Sequence, residues 1–366
     1  MEKKNIKVAA ANKILTVVIP TYNMEKYLRR CLDSLIESDQ QMQMLEVLVI
    51  NDGSKDSSSQ IAHEYQDRYP QTFRVIDKEN GNYGSCVNRG LKEATGKYFR
   101  LLDADDQFRT ESLMKFIDIL LKTDADMVLT HHCFTFDGNN KKVEYQPRSA
   151  KIKYGEIYAA DDFDFEELGC DKTLLLMHSI TYKLEILRKV GLRHQTGISY
   201  TDTEFVYFPL VAVKNILPVD IYLYAYTRGR DGQTVSQIAK GADAYFKVGN
   251  RIFQDFIENR HNKTNSALRK KQSIIVMSRL KAYIHLELCL TKKNAEHNNR
   301  LLVMYDNIQK NIPELLSELR ADKFKHLIHY FTVWEHTGKY MSDYPYCILG
   351  NSVDFIKRII YSLQRK

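Results

Sequence analysis

The sequence predicts an α/β fold built on a doubly wound sheet, followed by a C-terminal α-helical region. Three observations carry this. Short apolar runs alternate with helix-period segments over roughly the first 110 residues, and strands separated by helices imply parallel crossovers. Several of these runs end in a polar cluster. From about residue 236, glycine and strand signals nearly vanish. The expected organisation is a tail over 1–13, an α/β domain over 14–235 and a helical region over 236–366.

Each element follows from its own pattern. Ile14–Ile19 (ILTVVI) is a continuous apolar run closed by Pro20, the pattern of a strand buried on both faces. Tyr27, Leu28, Cys31, Leu32, Leu35 and Ile36 then recur on one helical face. Leu45–Ile50 (LEVLVI) is a second buried strand, closed by the turn residues Asn51-Asp52-Gly53-Ser54. Phe73–Ile76 gives a short third strand, and Lys97–Leu102 (KYFRLL) a fourth that runs into Asp103. Leu113, Phe116, Ile117, Leu120 and Leu121 mark another amphipathic helix, and Asp126–Thr130 another strand. Farther on, Ala244–Ile257, Lys271–Leu290 and Leu301–Ile312 read as helices, with Pro313 starting the next element. The final segment, Val353–Lys366, is a basic amphipathic helix.

Composition removes several classes of function. The 366 residues are 44% apolar and 27% charged, which is ordinary globular usage. Lys and Arg number 53 against 46 Asp and Glu, a net charge of only +7. No basic patch interleaves with aromatics, so nucleic acid is not an expected partner. No apolar run approaches the ~20 residues of a membrane span, and no signal-peptide core follows the charged N-terminus. A cytoplasmic protein is expected. The six cysteines, at 31, 86, 133, 170, 289 and 347, form no CxxC pair, so reduced, mostly buried thiols are expected.

The polar clusters share a location. Ligands of doubly wound sheets bind at the carboxyl ends of the strands, so the clusters after Ile19, Ile50 and Leu102 should meet at one crevice. Asp103-Ala104-Asp105-Asp106 is the strongest of them. Carboxylates at i and i+2 on extended backbone point the same way, so Asp103 and Asp105 can converge on a hard cation such as Mg²⁺ or Mn²⁺; an acidic loop capping the next helix is the plain alternative. Tyr22, in Pro20-Thr21-Tyr22-Asn23, can stack on a base. Asp52 can accept a hydrogen bond from an imide N–H such as uracil offers. Turn chemistry alone explains both clusters equally well. The Gly-rich segment from Asn80 to Leu91 opens a helix, whose backbone N–H groups can face an anion. It contains no GxGxxG, and Gly90–Lys97 lacks P-loop spacing.

TVVIPTYN, VLVINDGSKDSS, NGNYGSCVNRGL and LLDADD, in this order and spacing, resemble the family 2 glycosyltransferases. The resemblance is dense over about 14–125 and weaker to about 236. It implies a GT-A fold with a Rossmann-like mixed sheet. It also implies inverting transfer from a nucleotide sugar, usually a UDP-sugar, with Mn²⁺ or Mg²⁺. By position it assigns the nucleotide-sugar site to Pro20, Thr21, Tyr22, Asp52, Asn82, Tyr83, Gly84, Asp103, Ala104 and Arg228. Asp103 and Asp105 fall on the DxD motif, with Asp105 the direct metal ligand and Asp103 nearer the ribose. Val87 stands where many members have Arg, and Gly84 where many have Ser.

An inverting reaction needs a base for the acceptor hydroxyl's proton. The resemblance gives this role to Asp202 in Ile198–Phe208; Thr201 replaces the family's usual Glu, and Glu204 is the local rival. A helix cap is the plain alternative for Asp202. Arg228 or Arg230 is placed over the donor diphosphate, while a solvated basic turn explains them as well. His131, His132 and His178 fall where acceptor residues can lie, although a lone His is more often structural.

The implied function is transfer of a sugar to a hydroxyl of a glycan, glycolipid or glycoprotein, in cell-surface polysaccharide or glycoconjugate synthesis. The rivals are a silent sugar-nucleotide-binding scaffold and a sugar nucleotidyltransferase. The latter lacks its Gly-rich loop here. The C-terminal helices suit an acceptor-site wall or a homodimer interface. The 353–366 helix also suits peripheral contact with an anionic inner membrane face.

Overall fold

A computed structural model of the chain describes residues 13–38, 42–145, 148–165, 175–230, 241–259, 266–323 and 329–341. The expected helix at 353–366, the boundary near 236 and Cys170 and Cys347 lie outside these residues. Cys31, Cys86, Cys133 and Cys289 are buried thiols.

The alternation read from the apolar runs is present as β1 (Leu15–Thr21), α1 (Glu25–Asp33), β2 (Leu45–Asn51), α2 (Ser58–Arg68), β3 (Phe73–Asp77), α3 (Asn82–Glu93) and β4 (Tyr98–Leu101). There follow β5 (Gln107–Phe108), α4 (Thr110–Lys122), β6 (Met127–Phe136), β7 (Asn139–Tyr145), β8 (Tyr158–Ala159), β9 (Ile180–Lys183), α5 (Leu184–Lys189), α6 (Asp202–Tyr207) and β10 (Asn215–Arg228). One sheet holds all ten strands in the order β3-β2-β1-β4-β9-β6-β10-β5, with β7 on β6 and β8 on β10.

β1 pairs in parallel with both β2 and β4, so Val17 lies opposite Val47 on one side and Arg100 on the other. A strand enclosed on both edges and both faces has no solvent side, which is why its sequence does not alternate. α3 lies against β1 at Gly90, where a Cβ would come within 2.5 Å of Val18. Past β4 the sheet becomes mixed. β9 runs antiparallel to β4 and β6, whereas β10 runs parallel to β6.

Arg100 ties this switch together from inside. It is 0% exposed. Its guanidinium donates to Thr181 Oγ1 on β9 (2.7 Å), to Thr130 Oγ1 on β6 (3.0 Å) and to the His178 carbonyl. The Phe108 and Phe116 rings lie 5.4 and 5.7 Å away. Burial pushes its pKa down to about 9.

The chain divides into two compact units, Met1–Gln233 with Asn262–Ile275, and Thr234–His261 with Val276–Lys366. The sheet belongs to the first. The helices expected in the C-terminal part are present as Ala242–Glu258, Ser266–His285, Ala295–Asn311 and Pro313–Ala321, and Tyr330–Thr337 is a further one that was not expected. In the second unit, Arg300 bonds Asp243 (2.5 Å) and Tyr305 bonds Glu335 (2.8 Å). Among the described residues, no helix is long and apolar enough to cross a membrane.

Candidate active site

Asp52, just past β2, joins three loops. Its amide donates to the Thr21 carbonyl at the end of β1 (2.8 Å). Its Oδ1 accepts from Lys78 Nζ (2.5 Å) and the Gly81 amide (2.9 Å), and its carbonyl accepts from Asn80 Nδ2 (3.0 Å). Oδ2 makes none of these bonds. The residue therefore shapes the loop before α3 through one carboxylate oxygen. Thr21 is buried, with its hydroxyl on the Ile19 carbonyl (3.1 Å), and Pro20 sits opposite Ile50 in the β1–β2 ladder. Tyr22 is 45% exposed, which leaves its ring face open for stacking.

The first turn of α3 lies between Asp52 and the acidic segment. Asn82 opens the helix with a left-handed backbone, φ +65°, a conformation Asn tolerates better than most residues. Tyr83 is half-buried beside Asp103 and Asp202, and desolvation together with those two carboxylates pushes its phenol well up. Gly84 has no room for a side chain, because a Cβ would stand 2.0 Å from the Gln195 carbonyl oxygen. That contact accounts for glycine at this position.

The same helix holds the approach to Asp202. Asn88 Nδ2 donates to the His194 carbonyl (2.9 Å), and the His194 amide donates back to Asn88 Oδ1 (2.7 Å). The Gly197 amide donates to the Gly81 carbonyl (2.9 Å). α6 then starts at Asp202, with Thr201 in the cap position. Glu204 turns the other way. It is 0% exposed and accepts from the Gln195 amide and from Gln195 Nε2, both at 2.8 Å. Its carboxylate is committed to holding the 194–195 backbone.

The acidic segment after β4 is fastened to β10. Asp106 Oδ2 accepts from the Tyr224 hydroxyl (2.7 Å), and Oδ1 from the Thr227 amide (2.7 Å). The Tyr224 oxygen also accepts from the Asp103 amide (3.2 Å). Arg30 donates to the Asp105 carbonyl (2.9 Å) and to Thr227 Oγ1 (3.1 Å). Ala104 is packed in the core at 2% exposure. The carboxylates of Asp103 and Asp105 behave differently. Asp105 is ion-paired with Arg230. Asp103 Oδ1 is buried with no hydrogen-bond partner. Burial, and then the Asp105 and Asp202 charges, push the Asp103 carboxyl well above the usual carboxylate range. An orphaned oxygen among crowded carboxylates fits a cation. Asp103, Asp106 and His178 each bring one ligand-type atom within 4.8 Å of the others.

Arg228 is exposed, with its guanidinium over the Phe134 ring; Arg230 is the arginine on the DxD segment. His132 and His178 lie in the aromatic group beside the acidic segment, with ring centroids 5.8 Å apart. His131 instead stacks near Tyr154 (5.2 Å) and Tyr222 (5.0 Å). The sequence reading gave no role to Asp106, Tyr224 or Asn88. Tyr224 and Tyr226, two positions apart and both packed on His178, were the available signal for a strand turning one face to this segment.

Residues 16–180 match the family described as Glycosyl transferase family 2. Over these residues the chain is similar to the family 2 glycosyltransferases. Among relatives, it is similar to the uncharacterized glycosyltransferase RT0329 of Rickettsia typhi, 26% identical over 63% of this chain and 69% of that one. It is similar to the uncharacterized glycosyltransferase YibD of Escherichia coli, 28% identical over 54% of this chain and 58% of that one, so the match spans little more than half of YibD. Among solved structures, S. aureus TarS 1–349 in complex with UDP-GlcNAc aligns with a TM-score of 0.61 at 20% identity, over 89% of this chain and 93% of that one. That likeness shows the GT-A fold.

Proposed function

We propose that this protein is a family 2 glycosyltransferase, an inverting enzyme that moves a sugar from a UDP-sugar to an acceptor hydroxyl of a glycan, glycolipid or glycoprotein. One observation carries the reading. The first turn of α3 brings the Asp52 loop, the orphaned Asp103 oxygen and Asp202 to a single region. TarS has been solved with UDP and with UDP-GlcNAc, which supports a uridine diphosphate donor here.

In this reading Tyr22 stacks on the base and Asp52 Oδ2 takes the imide N–H. Asn82, Tyr83 and Gly84 form the wall beside the diphosphate. Asp103 and Asp105 hold Mn²⁺ or Mg²⁺, which when bound neutralises charge on the departing diphosphate. Arg230 moves from Asp105 to the diphosphate as the donor enters, with Arg228 at the rim. Asp202 accepts the acceptor proton as the new glycosidic bond forms on the face opposite the leaving group. The geometry of Glu204 favours Asp202 over its rival, because both Glu204 oxygens face Gln195. An anionic membrane surface, met by 353–366 on the cytoplasmic side, is the partner proposed beyond donor and acceptor; liposome flotation with and without that segment tests it.

Release of UDP from a panel of UDP-sugars with Mn²⁺, with and without added acceptors, tests the reaction. One sugar should give acceptor-dependent release, and Asp202→Asn should lower kcat by about 10²–10⁴-fold with UDP affinity kept. A chain that binds UDP-sugars but releases no UDP with any acceptor is a scaffold.

A further inference from the structure

We infer that His178 gives a ring nitrogen to the divalent cation held at Asp103, which biases the centre toward first-row transition ions over Mg²⁺. This rests on the donor-binding reading above and adds a ligand that the DxD motif does not contain.

Three observations carry it. The first is proximity, since ligand-type atoms of Asp103, Asp106 and His178 lie within 4.8 Å of one another. The second is which of these atoms are committed. Asp106 uses one oxygen for Tyr224 and the other for the Thr227 amide, so it anchors the segment. Asp103 Oδ1 and His178 Nδ1 are both buried and make no hydrogen bond. A buried polar atom without a partner costs about 1–3 kcal/mol, and two at one place point to a ligand that satisfies both. The third is preorganisation. The His178 ring is boxed by Tyr224 (4.6 Å) and Tyr226 (5.0 Å), both edge-on. Its carbonyl is held by the buried Arg100, whose two other bonds reach β6 and β9.

The chemistry follows from ligand type. A neutral imidazole nitrogen is a common ligand of divalent transition ions. Carboxylate oxygen alone suits Mg²⁺, whereas an added imidazole nitrogen favours ions along the Mn²⁺ to Zn²⁺ series. Aromatic packing alone, with no ligand role for the ring, is the competing explanation.

Pulsed EPR of Mn²⁺ bound to the full chain at saturating UDP separates them. The expected spectrum shows coupling to an imidazole nitrogen, lost in His178→Ala and kept in His132→Ala. The Mn²⁺ dissociation constant should rise at least about tenfold in His178→Ala, with Mg²⁺ binding little changed. Bound Mn²⁺ without nitrogen coupling in the wild type overturns the inference and leaves the donor reading standing. Coupling that survives His178→Ala, or disappears in His132→Ala instead, also overturns it. No Mn²⁺ binding at all overturns both. The wild-type spectrum decides the question even where a variant fails to fold.

Discussion

The Tyr224 hydroxyl lies 2.7 Å from Asp106 Oδ2 and also accepts from the Asp103 amide at 3.2 Å. A single phenol from β10 thus fixes both the backbone and a carboxylate of the segment that follows β4. Neither end is exposed to water, as Tyr224 is 0% and Asp106 1% exposed. Tyr224→Phe keeps the ring and removes the bond. It should lower stability by about 1–3 kcal/mol and weaken Mn²⁺-dependent UDP binding, because Asp103 loses its support. Urea denaturation midpoints and UDP titrations measure the two effects; a variant matching wild type in both would show that Asp106 does not depend on the phenol.

Gly84 faces the Gln195 carbonyl with no space between them. Gly84→Ala must push the 194–197 strap away from α3, and Asp202 follows that strap. The expected result is a stability loss of about 1–3 kcal/mol from overpacking and a drop in kcat larger than the change in donor affinity. Steady-state kinetics at saturating UDP-sugar read this directly. Unchanged kcat would mean that Asp202 is positioned by other contacts.

Glu204 and Asp202 stand two residues apart and should respond oppositely. Glu204→Gln sets an amide N–H₂ against the Gln195 donors and should destabilise the fold by about 1–3 kcal/mol. Asp202→Asn should leave the denaturation midpoint near wild type while turnover falls. A reversed pattern would give the base role to Glu204.

His132 is 1% exposed, and burial pushes its pKa down to about 4. In the unfolded chain it binds a proton near pH 6.5, so between these values the unfolded state holds more protons and stability falls as pH falls. The raised carboxyl pKa values of Asp103 and Asp106 act in the opposite sense over an overlapping range, so the difference from a variant isolates the histidine. Relative to His132→Asn, wild type should lose about 2 kcal/mol between pH 7.5 and 5, measured by urea titration at each pH. A constant difference would show that His132 titrates normally in the folded protein.

How much was legible in advance depended on where each partner lies in sequence. The run ILTVVI announced β1 because a strand enclosed on every side must be apolar throughout. Asp103 and Asp105 stood out because their spacing and the strand before them are local. Asp106 looked the same as its neighbours, since its partner Tyr224 is 118 residues away. β10 was hidden for a related reason. Its pairing with β6 shifts register between Pro218 and Tyr222 and again between Tyr222 and Tyr224, which blurs period-two alternation. The strap on α3 rests on Asn88 and Gly84, whose partners in 194–195 no local pattern links to them.

Calorimetric titration of UDP into the full chain with Mn²⁺ present, repeated on Asp52→Ala and Asp105→Ala, bears most directly on the account. Saturable binding in the wild type is expected, with clear weakening in Asp52→Ala, and loss of the Mn²⁺ dependence in Asp105→Ala. Wild-type protein that takes up no UDP, or two variants that bind it as wild type does, would contradict the placement of a nucleotide and its cation at the ends of β1, β2 and β4.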